Sequence, residues 1–169
     1  MQSPIKAAII TLSDRASQGL RDDESGRLIK DMLGSIGAEV VVYKILPDEK
    51  DMIIHELMDI SDAGRADLVL TTGGTGLSPR DVTPEATLAV IDRELPGMAE
   101  AMRAEGLKKT ARAMISRAVA GIRKQTLIVN LPGSPKAVRE NLSVILPALP
   151  HAIEKLKGDP HECGVKEAT

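Results

Sequence analysis

Aromatic residues are nearly missing from this chain: of 169 residues none is Trp or Phe, and Tyr43 is the one tyrosine. A core built without rings must come from Ile, Leu, Val, Ala and Met. The same shortage argues against nucleic-acid recognition, which relies on stacking bases against aromatic side chains. Charge of one sign is also lacking. The formal net charge is −2, so no basic field exists to hold a polyanion, although a small anion needs only local donors. Cysteine is reduced to Cys163, which has no partner within the chain and fits a reducing cytoplasm. No apolar run reaches the length of a membrane span and no signal-peptide pattern opens the sequence, so the expectation is a soluble, cytoplasmic protein without membrane or nucleic-acid partners.

What is present is ordinary for a globular domain: 43% apolar and 27% charged residues, which argues against disorder. The length suits one domain with a real core, assigned to residues 1–158, followed by a polar tail over 159–169. Ile5 to Leu12 (IKAAIITL) is a continuous apolar run of strand length, the pattern of a strand buried on both faces. Leu28, Ile29, Met32, Leu33 and Ile36 recur at helical spacing, with Gly37 closing that helix. Strands are predicted again over Glu39–Leu46, Asp67–Thr72 and Thr126–Asn130. Helices are predicted after Pro47-Asp48, from Thr83-Pro84 with Thr83 as N-cap, from Ser134-Pro135, and after Pro147. Between Leu95 and Lys124 the pattern blurs; helical pieces broken by Gly97, Gly106 and Gly121, with short strands, are expected. This alternation predicts an α/β fold, an open and mostly parallel sheet with helices on both faces.

Four polar clusters each fall just after a strand: Ser13-Asp14-Arg15, Pro47-Asp48-Glu49, Thr71 to Asp81 (TTGGTGLSPRD) and Asn130 to Pro135 (NLPGSP). In an open parallel sheet the carboxyl ends of the strands line one crevice, so the four clusters should converge there. Three glycines within the four residues Gly73 to Gly76 allow backbone to approach a ligand and turn N–H groups toward an anion. The turn is not a Walker P-loop, because no Gly-Lys-Ser/Thr follows, and it does not stand after the first strand as a dinucleotide fingerprint would. A plain strand-to-helix turn is the competing reading. Asp48 and Asp81 are carboxylates on neighbouring loops; each also has a local reading, Asp48 as a helix N-cap and Asp81 as a favourable charge at a helix start. Asn130 can form a turn ahead of a Ser-Pro helix start, and Ser13, Asp14 and Ser116 can be turn or capping groups. Lys108, Lys109, Arg112 and Arg123 read as solvated surface. His55, His151 and His161 are scattered, and His161-Glu162-Cys163 supplies too few ligands for zinc.

The wider string is more specific. Leu70 to Gly76 (LTTGGTG), four further residues, then Asp81 to Pro84 (DVTP) resembles the signature of the molybdenum-cofactor biosynthesis family. That family includes bacterial molybdopterin adenylyltransferases, MoaB-type proteins and the G domains of homologues such as gephyrin. Thr11 to Arg15 (TLSDR), Ser17-x-Gly19, Asp23 to Gly26 (DESG), Leu46 to Asp48 (LPD) and Asn130 to Pro135 agree with it, in order, from about Ile5 to Gly158. The resemblance implies adenylyl transfer from ATP to the terminal phosphate of molybdopterin, with pyrophosphate leaving and magnesium assisting. It implies Asp48 and Asp81 as the catalytic, magnesium-holding carboxylates. It places Thr72, Gly73, Gly74, Thr75, Gly76, Asn130, Leu131, Pro132 and Gly133 on the ATP side, and Ser13, Asp14, Ser116 and Arg117 on the molybdopterin side. A homotrimer or hexamer, and contact with the metal-insertion enzyme, are further expectations. A non-catalytic pterin-binding or scaffold protein of the same family is the alternative, and a pyrophosphatase of the competence-damage type a remoter one.

Overall fold

The run Ala7 to Leu12 is buried along its whole length because helices cover it from both sides. It belongs to β1 (Lys6–Leu12), which pairs in parallel with β2 (Glu39–Leu46) on one side and β3 (Leu68–Thr72) on the other. The computed structural model describes residues 4–158; the tail assigned to 159–169, with Cys163 and His161, lies outside the described residues. Beyond β3, β6 (Thr126–Leu131) is parallel, whereas β5 (Ala120–Arg123) and the two-residue β4 (Arg93–Glu94) run antiparallel to their neighbours. The six-stranded order is β2-β1-β3-β6-β5-β4.

Alternate residues of the central strands feed two separate cores, as a pleated strand requires. Ala7, Ile9, Leu70 and Val129 point to one face, packed with Ile29 and Leu33 of α2 (Glu24–Gly34) and Val138 and Leu142 of α6 (Pro135–Ile145). Ala8, Ile10, Val69 and Ile128 point to the other, under Ile53, Leu57 and Ile60 of α3 (Lys50–Asp62) and Ala86 and Val90 of α4 (Thr83–Val90). The expected fold, an open and mostly parallel sheet covered on both faces, is present. The one-turn α1 (Asp14–Ser17) follows β1, and α7 (Leu149–Leu156) closes the described chain.

Three local expectations need correction. Asp48 does not cap α3: Glu49 stands at the N-cap position and makes no side-chain cap bond, leaving the Asp48 carboxylate for the loop across from it. Thr83 is the first residue of α4 rather than its cap, and its buried hydroxyl donates to the Gly73 carbonyl at 2.9 Å. The blurred stretch does hold helical pieces, α5 (Pro96–Leu107) and a 3-10 turn over Ala111–Ile115, and a short strand, but Gly97 and Gly106 do not break α5: they sit in its first and last turns. Gly121 instead lies in β5, where a Cβ would stand 2.8 Å from the Arg93 carbonyl oxygen.

Candidate functional site

The four loops that follow β1, β2, β3 and β6 do meet. Ser13, Asp48, Gly73, Gly74, Asp81 and Gly133 line a cavity of about 310 Å³ at the carboxyl ends of the parallel strands. That is the place an open α/β sheet offers a ligand.

The glycine turn is backbone packed against backbone. Gly73 has φ +101° and Gly74 φ +66°, both in the left-handed region that a side chain disfavours. The Gly73 N–H donates to the Leu131 carbonyl at 3.1 Å, and a Cβ on Gly73 would run into the Leu12 carbonyl oxygen. A Cβ on Gly133 would lie 3.4 Å from the Gly73 Cα, so the loops after β3 and β6 touch without a side chain between them. The Thr72 hydroxyl donates to the Pro132 carbonyl at 2.7 Å and completes that seam.

Two carboxylates bracket the turn. A Cβ on Gly74 would lie 3.2 Å from Asp48 Oδ1, and one on Gly76 would lie 2.9 Å from Asp81 Oδ2. Asp81 Oδ2 accepts the Ser78 N–H at 2.9 Å. Asp48 and Asp14 hold each other: the Asp14 N–H donates to Asp48 Oδ2 and the Asp48 N–H to Asp14 Oδ1, both at 3.0 Å. Burial is the main force pushing the Asp48 carboxyl above its usual range. The charges of Asp14 and Asp81 add to it, outweighing the Asp14 N–H and the charge of Arg80. Asp14 goes the other way, held below the usual carboxylate range by its hydrogen bonds from Arg80 and from the Asp48 N–H. A half-buried carboxylate crowded by two others is a donor set that a hard divalent cation relieves, with phosphate and water oxygens completing its shell. Among the described residues no group of three or more His, Cys, Asp or Glu side chains is arranged to hold a metal by itself. Protein oxygens alone therefore do not form a cage.

Not every expected site residue faces the cavity. Asn130 is fully buried in β6; its Nδ2 donates to the Thr71 and Thr87 hydroxyls at 3.0 and 2.9 Å, and its Oδ1 accepts the Val119 N–H. Leu131 is buried as well, so of that loop Gly133 and Pro135 reach the cavity wall. Ser116 and Arg117 do not line the cavity that Ser13 lines. The Arg117 guanidinium donates to the Gly76 and Asp81 carbonyls at 2.7 Å each and pairs with Glu85, and its N–H donates to the Thr75 carbonyl at 3.0 Å. Arg117 is thus a brace for the loop that carries Asp81 rather than a free phosphate grip. Burial alone would raise the Glu85 carboxyl, but its hydrogen bond from Arg117 helps bring it below the usual range. The residues missed are Arg21 to Ser25, which form another wall of the cavity. Ser25 donates to the Gly133 carbonyl at 2.7 Å, and Asp23 caps α2 through the Gly26 N–H while accepting the Thr11 and Tyr43 hydroxyls. The Asp-Glu-Ser-Gly string at the start of α2 was the available signal, and it carried no assigned role.

The chain is similar to a known family over nearly all of this architecture. A family described as "Probable molybdopterin binding domain" matches residues 8–151. A "Molybdopterin adenylyltransferase" of Helicobacter pylori is 43% identical over 157 residues, covering 92% of this chain and 89% of the relative. "Gephyrin" of Dictyostelium discoideum is 46% identical over 162 residues, which span 90% of this chain but 22% of that longer protein. Among solved structures, the molybdopterin biosynthesis enzyme MoaB of Thermus thermophilus superposes with a TM-score of 0.87 at 49% identity, covering 94% of this chain and 99% of that one.

Proposed function

Because the chain belongs to the molybdopterin-binding domain family of molybdenum-cofactor biosynthesis, we propose that it is a molybdopterin adenylyltransferase that moves AMP from ATP to the terminal phosphate of molybdopterin. An oxygen of the pterin phosphate forms a bond to the α-phosphorus of ATP. The bond from that phosphorus to the β-phosphate oxygen breaks, and pyrophosphate leaves with the electron pair. Such a transfer needs positioning and charge neutralisation more than a protein nucleophile.

The observation that carries this reading is the pair Asp48 and Asp81 on either side of a turn with three glycines in four residues. Gly73 to Gly76 let the nucleotide phosphates come against backbone, while Gly133 leaves room from the facing loop. Asp48 and Asp81 would hold magnesium, which when bound neutralises charge on the phosphates. Ser13 and Asp14 face the pterin side; Arg117 and Asn130 serve by fixing the loops rather than by touching substrate. Incubation of the purified protein with ATP, magnesium and molybdopterin should yield adenylylated pterin and pyrophosphate in equal amounts. Pterin binding without product would leave the scaffold reading in its place.

A homotrimer or hexamer goes with this function, as does hand-over of the product to a metal-insertion enzyme in the cytoplasm. Leu107 at the end of α5, with Met114 and Ile115 just after it, are exposed apolar side chains that support an interface. The mass in solution should be a multiple of three protomers. No helix among the described residues is long and apolar enough to cross a membrane.

A further inference from the structure

The loops after β1, β2 and β3 are fastened to one another by a side chain that adenylyl transfer leaves without a role. Arg80 stands next to Asp81 and reaches the residues that follow β1 and β2. Its Nε donates to Asp14 Oδ2 at 3.0 Å and its Nη2 to Asp14 Oδ1 at 2.8 Å, a forked pair; Nη2 also meets Glu49 Oε1 at 2.8 Å. Asp14 Oδ1 is the same oxygen that accepts the Asp48 N–H. We propose that Arg80 is a positioning residue: it holds the Asp14 carboxylate in the one orientation that locks Asp48 in place opposite Asp81.

Three observations support this. Asp14 and Asp48 exchange backbone-to-carboxylate bonds, and that exchange places two carboxylates side by side with Glu49 close by. Without the Arg80 cation, repulsion favours rotation of the 35% exposed Asp14 side chain outward. Second, Arg80 is itself half exposed, at 52%. An ion pair so open to water adds little to folding stability, so its consequence is geometric. Third, the fork is bidentate, the arrangement in which a guanidinium fixes direction as well as supplying charge. The strap also has a counterpart: Arg117 grips the inner side of the same loop through the Gly76 and Asp81 carbonyls. Asp81 is thus set from one side by Arg117 and matched to Asp48 from the other by Arg80.

The test is amide hydrogen exchange on the substrate-free protein, wild type against Arg80→Ala, together with steady-state kinetics. Exchange of the Asp14 and Asp48 amides should rise by about tenfold while Leu70 in β3 keeps its rate. In kinetics kcat should fall by about tenfold with the KM for ATP within about twofold, and in an Asp14→Asn background the Arg80 change should add less than about twofold. Wild-type protection at Asp48 in the variant overturns the proposal. So does an equal rise at Leu70, which would mean a general loss of stability. A raised KM for ATP with kcat unchanged overturns it too, since Arg80 would then touch the nucleotide. The kinetic arm rests on the adenylyltransferase reading; the exchange arm needs neither substrate nor metal. Failure of that reading appears separately, as absence of product with the wild-type protein.

Discussion

The loop after β3 and the loop after β6 look alike in sequence, each a polar, glycine-bearing turn that leads into a Pro-started helix, yet they do opposite work. The first turns its acids outward: Asp81 and, from the neighbouring loop, Asp48 stand at the cavity with carboxylate oxygens beside Gly74 and Gly76. On the second side the polar group turns inward before the loop begins: Asn130, still within β6, is fully engaged with Thr71, Thr87 and Val119. A crowded carboxylate costs stability that a cation can return. A satisfied buried amide contributes stability and asks for nothing. Motif membership alone does not separate these roles; burial and hydrogen-bond partners do.

Exchanging the demands on the two loops shows how far the contrast holds. Asp81→Asn keeps size and one acceptor for Ser78 but removes a charge from the transition-state surroundings. Turnover should fall by about two to three orders of magnitude, measured as adenylylated pterin per protomer, with the melting temperature hardly moved. Asn130→Ala should show the reverse pattern. It strands the Val119 N–H and two threonine hydroxyls in the interior, and urea unfolding should register a loss of about 2 to 4 kcal/mol, while turnover of the folded fraction suffers far less than in Asp81→Asn. Gly74→Ala lies between them: its φ of +66° and the nearby Thr83 hydroxyl make a side chain strained, at about 1 to 3 kcal/mol, and should raise the KM for ATP.

The smallest effect is a pH dependence. The folded Asp48 carboxyl is held above its ordinary range, chiefly by burial, so the ionised carboxyl disfavours the fold. The penalty is absent below the unfolded pKa and complete once pH has risen through the folded one. Asp48→Asn should therefore gain stability over the wild type at neutral pH relative to acid pH, by a fraction of a kcal/mol because water partly screens the site. A stability difference that stays constant across that titration would remove Asp48 from the crowded set. Asp14, with its pKa lowered, runs oppositely: it favours the fold above its unfolded pKa, and that contribution fades as pH falls through the folded one.

The parallel sheet was legible because its inner strands β1, β3 and β6 are buried on both faces and so read as unbroken apolar runs, and because each parallel strand is followed by a polar turn at the same end. Convergence of four clusters followed from topology alone. The stretch from Leu95 to Lys124 was less legible, since α5 carries glycines in its end turns and β5 is too short for periodicity to register. The competing reading of Asp48 as a cap arose because Pro-Asp before a helix has that local chemistry; its observed partner, Asp14, lies 34 residues away. Arg117 could be placed near a phosphate by type but not by partner, since the carbonyls it grips belong to a loop folded back from Gly76 and Asp81. Local pattern reports which residues are polar; only the fold reports which of them are already engaged.

Tyr43 gives the molecule a property of another kind. It stands half exposed beside the cavity wall, its phenol donating to the Asp23 carboxylate. Burial first, and then that carboxylate, push its ionisation above the ordinary range. With no tryptophan and no second tyrosine in the chain, ultraviolet emission from the whole protein originates at this one ring. A carboxylate acceptor on the phenol dims that emission, and Asp23 is shared between the ring and the cavity. A ligand that displaces Asp23 on entering the cavity should therefore change that emission, an expectation that a fluorescence titration of the unlabelled protein checks.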